Sequence, residues 1–160
     1  MAEAKDMGGV VVGENMTFMD ALEKASGEPL YLDDLQLPGM LVGFALRSEH
    51  AHAEILSVDA EAARRVEGVA AILTGADLEG EPRQTPHKRG TPLIARDRVR
   101  YMGDVVALVA AEGPAAAREA MRLIKVKYKP LPITDEPRAA LEKGAPRLWS
   151  EGNLLNHGKI

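Results

Sequence analysis

Val105-Val106-Ala107-Leu108-Val109-Ala110-Ala111-Glu112-Gly113-Pro114 is the stretch that decides the fold. An unbroken apolar run bounded by a turn signal suits a central strand covered on both faces, not one exposed at alternate residues. Gly113-Pro114 then ends the strand and opens a helix, because the missing N–H of proline falls in the first turn, where that donor has no intrahelical partner. Ala117, Ala120, Met121 and Ile124 recur at helical spacing, with Arg118, Glu119 and Arg122 outside. Lys125-Val126-Lys127-Tyr128-Lys129 alternates, with Val126 and Tyr128 inward and lysines outward, as in an edge strand guarded by charge. Strand, helix and strand within about 25 residues read as a βαβ-type unit that closes either parallel or antiparallel. The expected class is α+β, one domain with a mixed sheet and packed helices.

Upstream, Pro38-Gly39 is a turn signal, and Met40 to Leu46 reads as a buried strand ended by Arg47-Ser48. Ala53 to Val58 is a second strand, with Ala53, Ile55 and Ser57 on one face. Asp59 stands at an N-cap position ahead of Ala62, Ala63 and Val66 at helical spacing, and Gly68 supplies a left-handed stop. Val69 to Leu73 is a third strand, closed by Thr74-Gly75. Glu79 to Thr91 is polar, broken by prolines, and reads as a long exposed loop of the kind that contacts partners. Phe18, Met19 and Leu22 suggest one or two helical turns ended by Gly27. A short helix is expected within Leu131 to Leu141, and Gly144 to Ile160 shows no periodic pattern. The expected organisation is a flexible lead-in over 1–19, the domain over 20–153 and a tail over 154–160.

Composition excludes several function classes. Aromatic residues are only 4% of the chain, too few for the stacking platforms of single-strand nucleic-acid binders. The net charge is −4 and no basic face is evident, so no phosphate-backbone binding is expected. The absence of cysteine removes disulfides, thiolate metal sites and iron–sulfur ligation by this chain. The longest apolar run, Val105 to Ala111, is too short for a membrane span. Met1 to Asp6 lacks the basic start and apolar core of a signal peptide, and a cytoplasmic protein is expected.

Few residues form chemical constellations. His50-Ala51-His52 has i, i+2 spacing, which on a strand points both rings to one face, as a zinc or copper pair requires. Third and fourth ligands are missing from Glu49, Glu54 and Asp59 as any recognised pattern, so turn and packing histidines are the preferred reading. Asp33-Asp34 reads as a solvated turn, since neighbours on extended chain face opposite ways. Gly8-Gly9-Val10-Val11-Val12-Gly13 lacks the spacing of a phosphate loop. The serines have no nucleophile-elbow context. No catalytic set emerges from the residues themselves.

The string nevertheless resembles a known family. Arg47-Ser48-Glu49-His50-Ala51-His52-Ala53-Glu54-Ile55 is similar to the Arg-Ser-Pro-His-Ala-His-Ala-x-Ile segment of the α/β-hammerhead domain in molybdenum hydroxylases, the xanthine dehydrogenase, aldehyde oxidase and carbon monoxide dehydrogenase family. Leu37-Pro38-Gly39-Met40-Leu41 resembles the entry to its strand. Gly68-Val69-Ala70-Ala71-Ile72-Leu73-Thr74-Gly75-Ala76-Asp77, Pro92-Leu93-Ile94-Ala95 and Val99-Arg100-Tyr101-Met102-Gly103-Asp104 resemble further segments in family order. Lys127-Tyr128-Lys129-Pro130-Leu131-Pro132 and Gly152-Asn153 follow. Glu49 and Asp104-Val105 depart from the family's Pro and Glu-Pro.

The resemblance implies an α/β hammerhead that serves as a non-catalytic structural and interaction domain of an oxidoreductase. Molybdopterin ligands and the catalytic glutamate lie in a larger domain of the family, so no catalytic, cofactor or metal residue is carried over. The complete enzyme would use molybdopterin, iron–sulfur clusters and FAD to hydroxylate an aromatic heterocycle or aldehyde. Expected partners are the molybdopterin-binding domain or subunit and the electron-transfer subunits, with self-association a further expectation. Tyr101, Met102, Gly103, His87 and Trp149 are the candidate interface residues. Two other readings stand beside this one, a free-standing small-ligand or regulatory module and a small metal-binding protein using His50 and His52.

Overall fold

The computed structural model describes Gly13 and residues 18–78, 91–149 and 152–154. The chain divides into two compact units, Met1–Pro38 and Gly39–Ile160. The expectations for the lead-in, apart from Gly13, Phe18 and Met19, for the loop over 79–90 and for the tail beyond Leu154 fall outside the described residues.

In the first unit, helix α1 covers Ala21–Ser26 and is stopped by Gly27, whose φ of +77° is the left-handed conformation that only glycine adopts without strain. Leu32–Asp34 forms one 3₁₀ turn. The Asp34 carboxylate accepts the Tyr31 N–H at 2.9 Å, so the Asp33-Asp34 pair belongs to a turn, as its composition suggests.

The second unit holds six strands: β1 (Val42–Arg47), β2 (Ala53–Asp59), β3 (Val69–Thr74), β4 (Arg98–Val99), β5 (Val105–Ala111) and β6 (Lys125–Pro130). Helix α2 (Pro114–Leu123) follows β5. The strands form two three-stranded sheets, ordered β1-β5-β3 and β4-β2-β6, and every pairing among the described residues is antiparallel. The α+β fold stands, with its strands divided between two sheets. The strand–helix–strand unit from Val105 to Lys129 is not a βαβ unit, because β5 and β6 belong to different sheets. Periodicity marks elements but not their partners, and β6 finds its partner in β2 at long range.

β5 is the central strand that its composition indicates, and α2 packs on one of its faces. Ala107, Val109 and Ala111 meet Ala117 and Ala120 of the helix and Ile124 just beyond it, with Ile72, Ala60 and Ala63 completing this core. A second core joins Ala53, Ala95, Val99 and Val106, with Ile55, Val58, Val126 and Tyr128 partly buried around it. The register of β1 against β5 skips Val106, and that bulge lets Val106 and Ala107 both be buried although they are neighbours. A bulge at Leu56 of β2 likewise breaks the alternation expected from Ala53 to Val58. Beyond it Val58, not Ser57, turns toward the core. Leu56 is left 62% exposed.

The expected helix over 60–66 is a single 3₁₀ turn, Ala63–Arg65. Asp59 is not its N-cap: Ala62 holds that position, and the Asp59 carboxylate instead accepts the Glu61 N–H at 3.1 Å in the bend that leads into the turn. The C-cap of the turn is Val66 in extended backbone, and Gly68, at φ +82°, makes the left-handed turn into β3 instead of ending the helical turn. The short helix expected before Leu141 is likewise one 3₁₀ turn, Ala139–Leu141. Thr74-Gly75 closes β3 by close backbone approach, since a Cβ at Gly75 would stand 2.6 Å from Ala95 O and from Arg96 Cα. That contact seats Ile94 and Ala95, both buried, beneath the β3 turn. The Asp77 carboxylate accepts from Thr74 N–H at 2.7 Å and from its hydroxyl at 2.8 Å, which holds the turn. No helix among the described residues is long and apolar enough to cross a membrane.

Candidate partner interface

Two distant segments, Arg47–His52 at the end of β1 and beyond it and Arg100–Asp104 before β5, fold onto one another. The Ser48 N–H donates to Asp104 O and the Gly103 N–H donates to Ser48 O, both at 2.8 Å. The Arg47 guanidinium donates to Gly103 O at 2.9 Å. Gly103 sits at φ +92°, so the tight reversal before β5 depends on glycine at that position.

Asp104 is the anchor of this arrangement and is only 1% exposed. Its carboxylate accepts the Arg100 N–H at 3.1 Å. Burial pushes the Asp104 carboxyl above the usual carboxylate range, opposed by the Arg100 N–H and charge and by the bonds from Tyr101 and Val105. Burial, followed by the Asp104 charge, raises the Tyr101 phenol. The turn therefore has a fixed, buried base and an exposed tip: Tyr101 is 45% exposed and Met102 71% exposed.

Trp149 lies at the flank of the same turn. The Arg100 guanidinium stands over the indole ring, 4.2 Å from its centroid, and its Nε donates to Leu148 O at 3.1 Å. The half-buried indole thus packs on its own unit. The segment around it has no sequence periodicity because a single side chain organises it. Asn153 Oδ1 accepts the Leu148 N–H at 2.9 Å, and its Nδ2 donates to Ala140 O and Pro146 O, both at 2.8 Å. Of the candidate interface residues, Tyr101, Met102, Gly103 and Trp149 are brought to one region. His87 lies outside the described residues.

The two histidines do not face one way. They precede β2 on a bent segment, not on a strand, so the i, i+2 rule for strands does not govern them. His52 is buried, with Nδ1 2.7 Å from Pro132 O, whereas the His50 ring meets Tyr128 edge-on at 4.8 Å. Among the described residues no group of three His, Cys, Asp or Glu side chains could hold a metal ion.

The chain has no cysteine for an iron–sulfur cluster. A hollow of about 440 Å³ on the β1-β5-β3 sheet is lined by Gly43, Phe44, Ala45, Ala71, Leu73, Leu108, Val109 and Ala110, with almost no polar surface for a pterin or a phosphate. Sequence patterns missed the roles of Asp104 and Asn153, although both lie in family-like segments, because each acts through contacts with residues far along the chain.

Residues 26–132 match the family described as aldehyde oxidase and xanthine dehydrogenase, a/b hammerhead domain. The chain is 44% identical over 137 residues to a probable xanthine dehydrogenase subunit of Bacillus subtilis (strain 168), covering 86% of this chain and 18% of that protein. It is 40% identical over 125 residues to the carbon monoxide dehydrogenase large chain of Afipia carboxidovorans, covering 76% of this chain and 16% of the relative. The structure of quinoline 2-oxidoreductase from Pseudomonas putida 86 superposes with a TM-score of 0.78 at 33% identity, over 91% of this chain and 20% of that one. The chain therefore spans about a fifth of the length of these relatives. With the fold, the motifs and these matches in agreement, the chain belongs to the α/β-hammerhead domain family of aldehyde oxidases and xanthine dehydrogenases.

Proposed function

We propose that this chain acts as the non-catalytic scaffolding domain of a molybdenum-hydroxylase large subunit, extending over residues 20–153. In this reading it binds no molybdopterin, iron–sulfur cluster or FAD itself. It docks on the cofactor-bearing domain or subunit and helps to hold the electron-transfer subunits, in the cytoplasm. The observation that carries the reading is the alignment of 86% of this chain with only 18% of the Bacillus subtilis xanthine dehydrogenase subunit, at 44% identity. The cysteine-free sequence is in keeping with it, since this chain offers no thiolate ligand for an iron–sulfur cluster.

The Tyr101-Met102-Gly103 turn is the docking knob. Its base is fixed by Asp104, Arg47 and Ser48, and its exposed tip carries aromatic and thioether side chains, types enriched at interfaces, the flexible thioether adapting to the shape of an apolar partner. Metal analysis of the purified chain, with dye reduction by hypoxanthine or an aldehyde, tests the non-catalytic part. No molybdenum, iron, flavin or turnover is expected, and stoichiometric molybdenum or measurable turnover would overturn it.

A further inference from the structure

The face of the β1-β5-β3 sheet opposite α2 is bare among the described residues. Strand register arranges its side chains in two rows across the sheet: Gly43, Ala110 and Ala71 in one, Ala45, Leu108 and Leu73 in the next. These rows line the apolar hollow of about 440 Å³. Leu73 is 42% exposed and Leu108, on the central strand, is 37% exposed. The apolar composition of β5 anticipates cover on both faces, yet α2 supplies only one.

We propose that this hollow seats an uncharged, aliphatic helix of the same polypeptide, contributed by the rest of the large subunit. The inference rests on the docking reading above and adds a second surface, remote in sequence from the Tyr101–Gly103 turn. Area selects the occupant. A face three strands wide and about five residues long covers roughly 250 Å², whereas a stable complex of separate chains buries about 800 Å² per partner. A second copy held by this face alone would dissociate. A tethered segment needs far less area, because linkage makes its docking intramolecular. Matched relatives carry that length: about four-fifths of the Bacillus subtilis subunit lies outside the segment aligned with this chain.

Chemistry selects the kind of segment. The lining offers no charged side chain, so a charge placed there would lose water without gaining a partner. A helix satisfies its own backbone hydrogen bonds and covers an apolar face without stranding polar groups. Gly43, Ala71 and Ala110 form a low floor beside the step of Leu73 and Leu108, on which a large aliphatic side chain rests.

The cysteine-free sequence makes the test direct. Leu108→Cys and Leu73→Cys variants are labelled with a maleimide dye in this chain alone and in a chimera. In the chimera, the chain replaces its matching segment of the Bacillus subtilis subunit, or of the carbon monoxide dehydrogenase large chain as a second frame. Rates are normalised to those in denaturant. Both variants should react readily in the isolated chain and at least tenfold more slowly in the chimera. Equal rates in the two settings would overturn the proposal. So would protection already present in the dilute isolated chain, which would assign the face to another part of this chain, or protection appearing only at high concentration, which would assign it to a second copy. Met102→Cys reads the docking turn separately. Its protection in the chimera with free labelling of Leu108→Cys would remove the sheet face and leave the docking reading standing.

Discussion

His52 Nδ1 lies 2.7 Å from the carbonyl oxygen of Pro132, eighty residues further along the chain. A carbonyl only accepts, so Nδ1 carries a proton, and Nε2 is buried without a hydrogen-bond partner among the described residues. The Leu131 N–H returns a bond to His52 O at 2.9 Å, so this one residue ties the exit of β6 to the entry of β2. Replacement of His52 by Ala is expected to cost at least about 1 kcal/mol for the side-chain hydrogen bond, measured as a shift in urea midpoint. His50→Ala should cost less, because that ring is half-buried and makes only an edge contact with Tyr128. Metal content should not change in either variant. Equal stability of wild type and His52→Ala would remove the tie from the fold.

Gly75→Ala should destabilise the chain by about 1–3 kcal/mol, the range for forcing an extra carbon into a filled space. The new Cβ would meet backbone atoms of Ala95 and Arg96 at 2.6 Å, and backbone gives way less readily than a side-chain tip. Chemical denaturation checks the magnitude. A neutral result would mean that the Ala95–Arg96 crossing relaxes freely.

Asp104 and Asp77 should shape the pH dependence of stability in opposite directions. Burial raises the Asp104 carboxyl above its usual 3.8 in the folded chain. The folded state then holds more protons over the window between the two values. This contribution to stability is complete below the usual carboxylate range and is lost as pH rises through the folded value. Asp77 is lowered, first by the Thr74 hydroxyl and then by the Thr74 N–H, so its contribution is present above the usual range and lost as pH falls through the lowered value. Urea midpoints from about pH 3 to about pH 7 should lose their falling component in Asp104→Asn and part of their acid limb in Asp77→Asn. Parallel curves for wild type and Asp104→Asn would contradict the assignment.

Asn153→Ala should release the segment around Trp149 without unfolding the sheets. Three hydrogen bonds are removed at once, from Leu148 N–H and to Ala140 O and Pro146 O. At about 1 kcal/mol each they exceed what a local turn retains by itself. Trp149 is the single tryptophan, so its emission reports on this segment alone. A red shift is expected together with far-UV circular dichroism like that of wild type. Unchanged emission would show that Arg100 holds the indole without the Asn153 clamp.

Much of the fold is legible in the sequence because burial leaves periodic marks. The apolar run Val105–Ala111, the Gly113-Pro114 helix start and the alternating lysines of β6 lie where their patterns place them. Two short elements were legible only as helical tendency, because a few apolar residues at helical spacing do not distinguish an α-helix from a 3₁₀ turn. β4, with two residues, is too short to show a period. The bulges at Leu56 and Val106 obey pairing, not composition, and so reverse which neighbours face the core.

The candidate site divides the same way. The sequence by itself determined the domain class, the family, the absence of thiolate chemistry and the turn residues Tyr101, Met102 and Gly103, since each follows from residue type, spacing or motif order. Tertiary structure alone decided that Arg47–His52 closes on Arg100–Asp104, that His50 and His52 part company, that Asn153 organises the last turns, and that one face of β5 stays bare among the described residues. Those outcomes depend on which distant segments meet, and long-range contact is a property of the folded chain that no local pattern encodes.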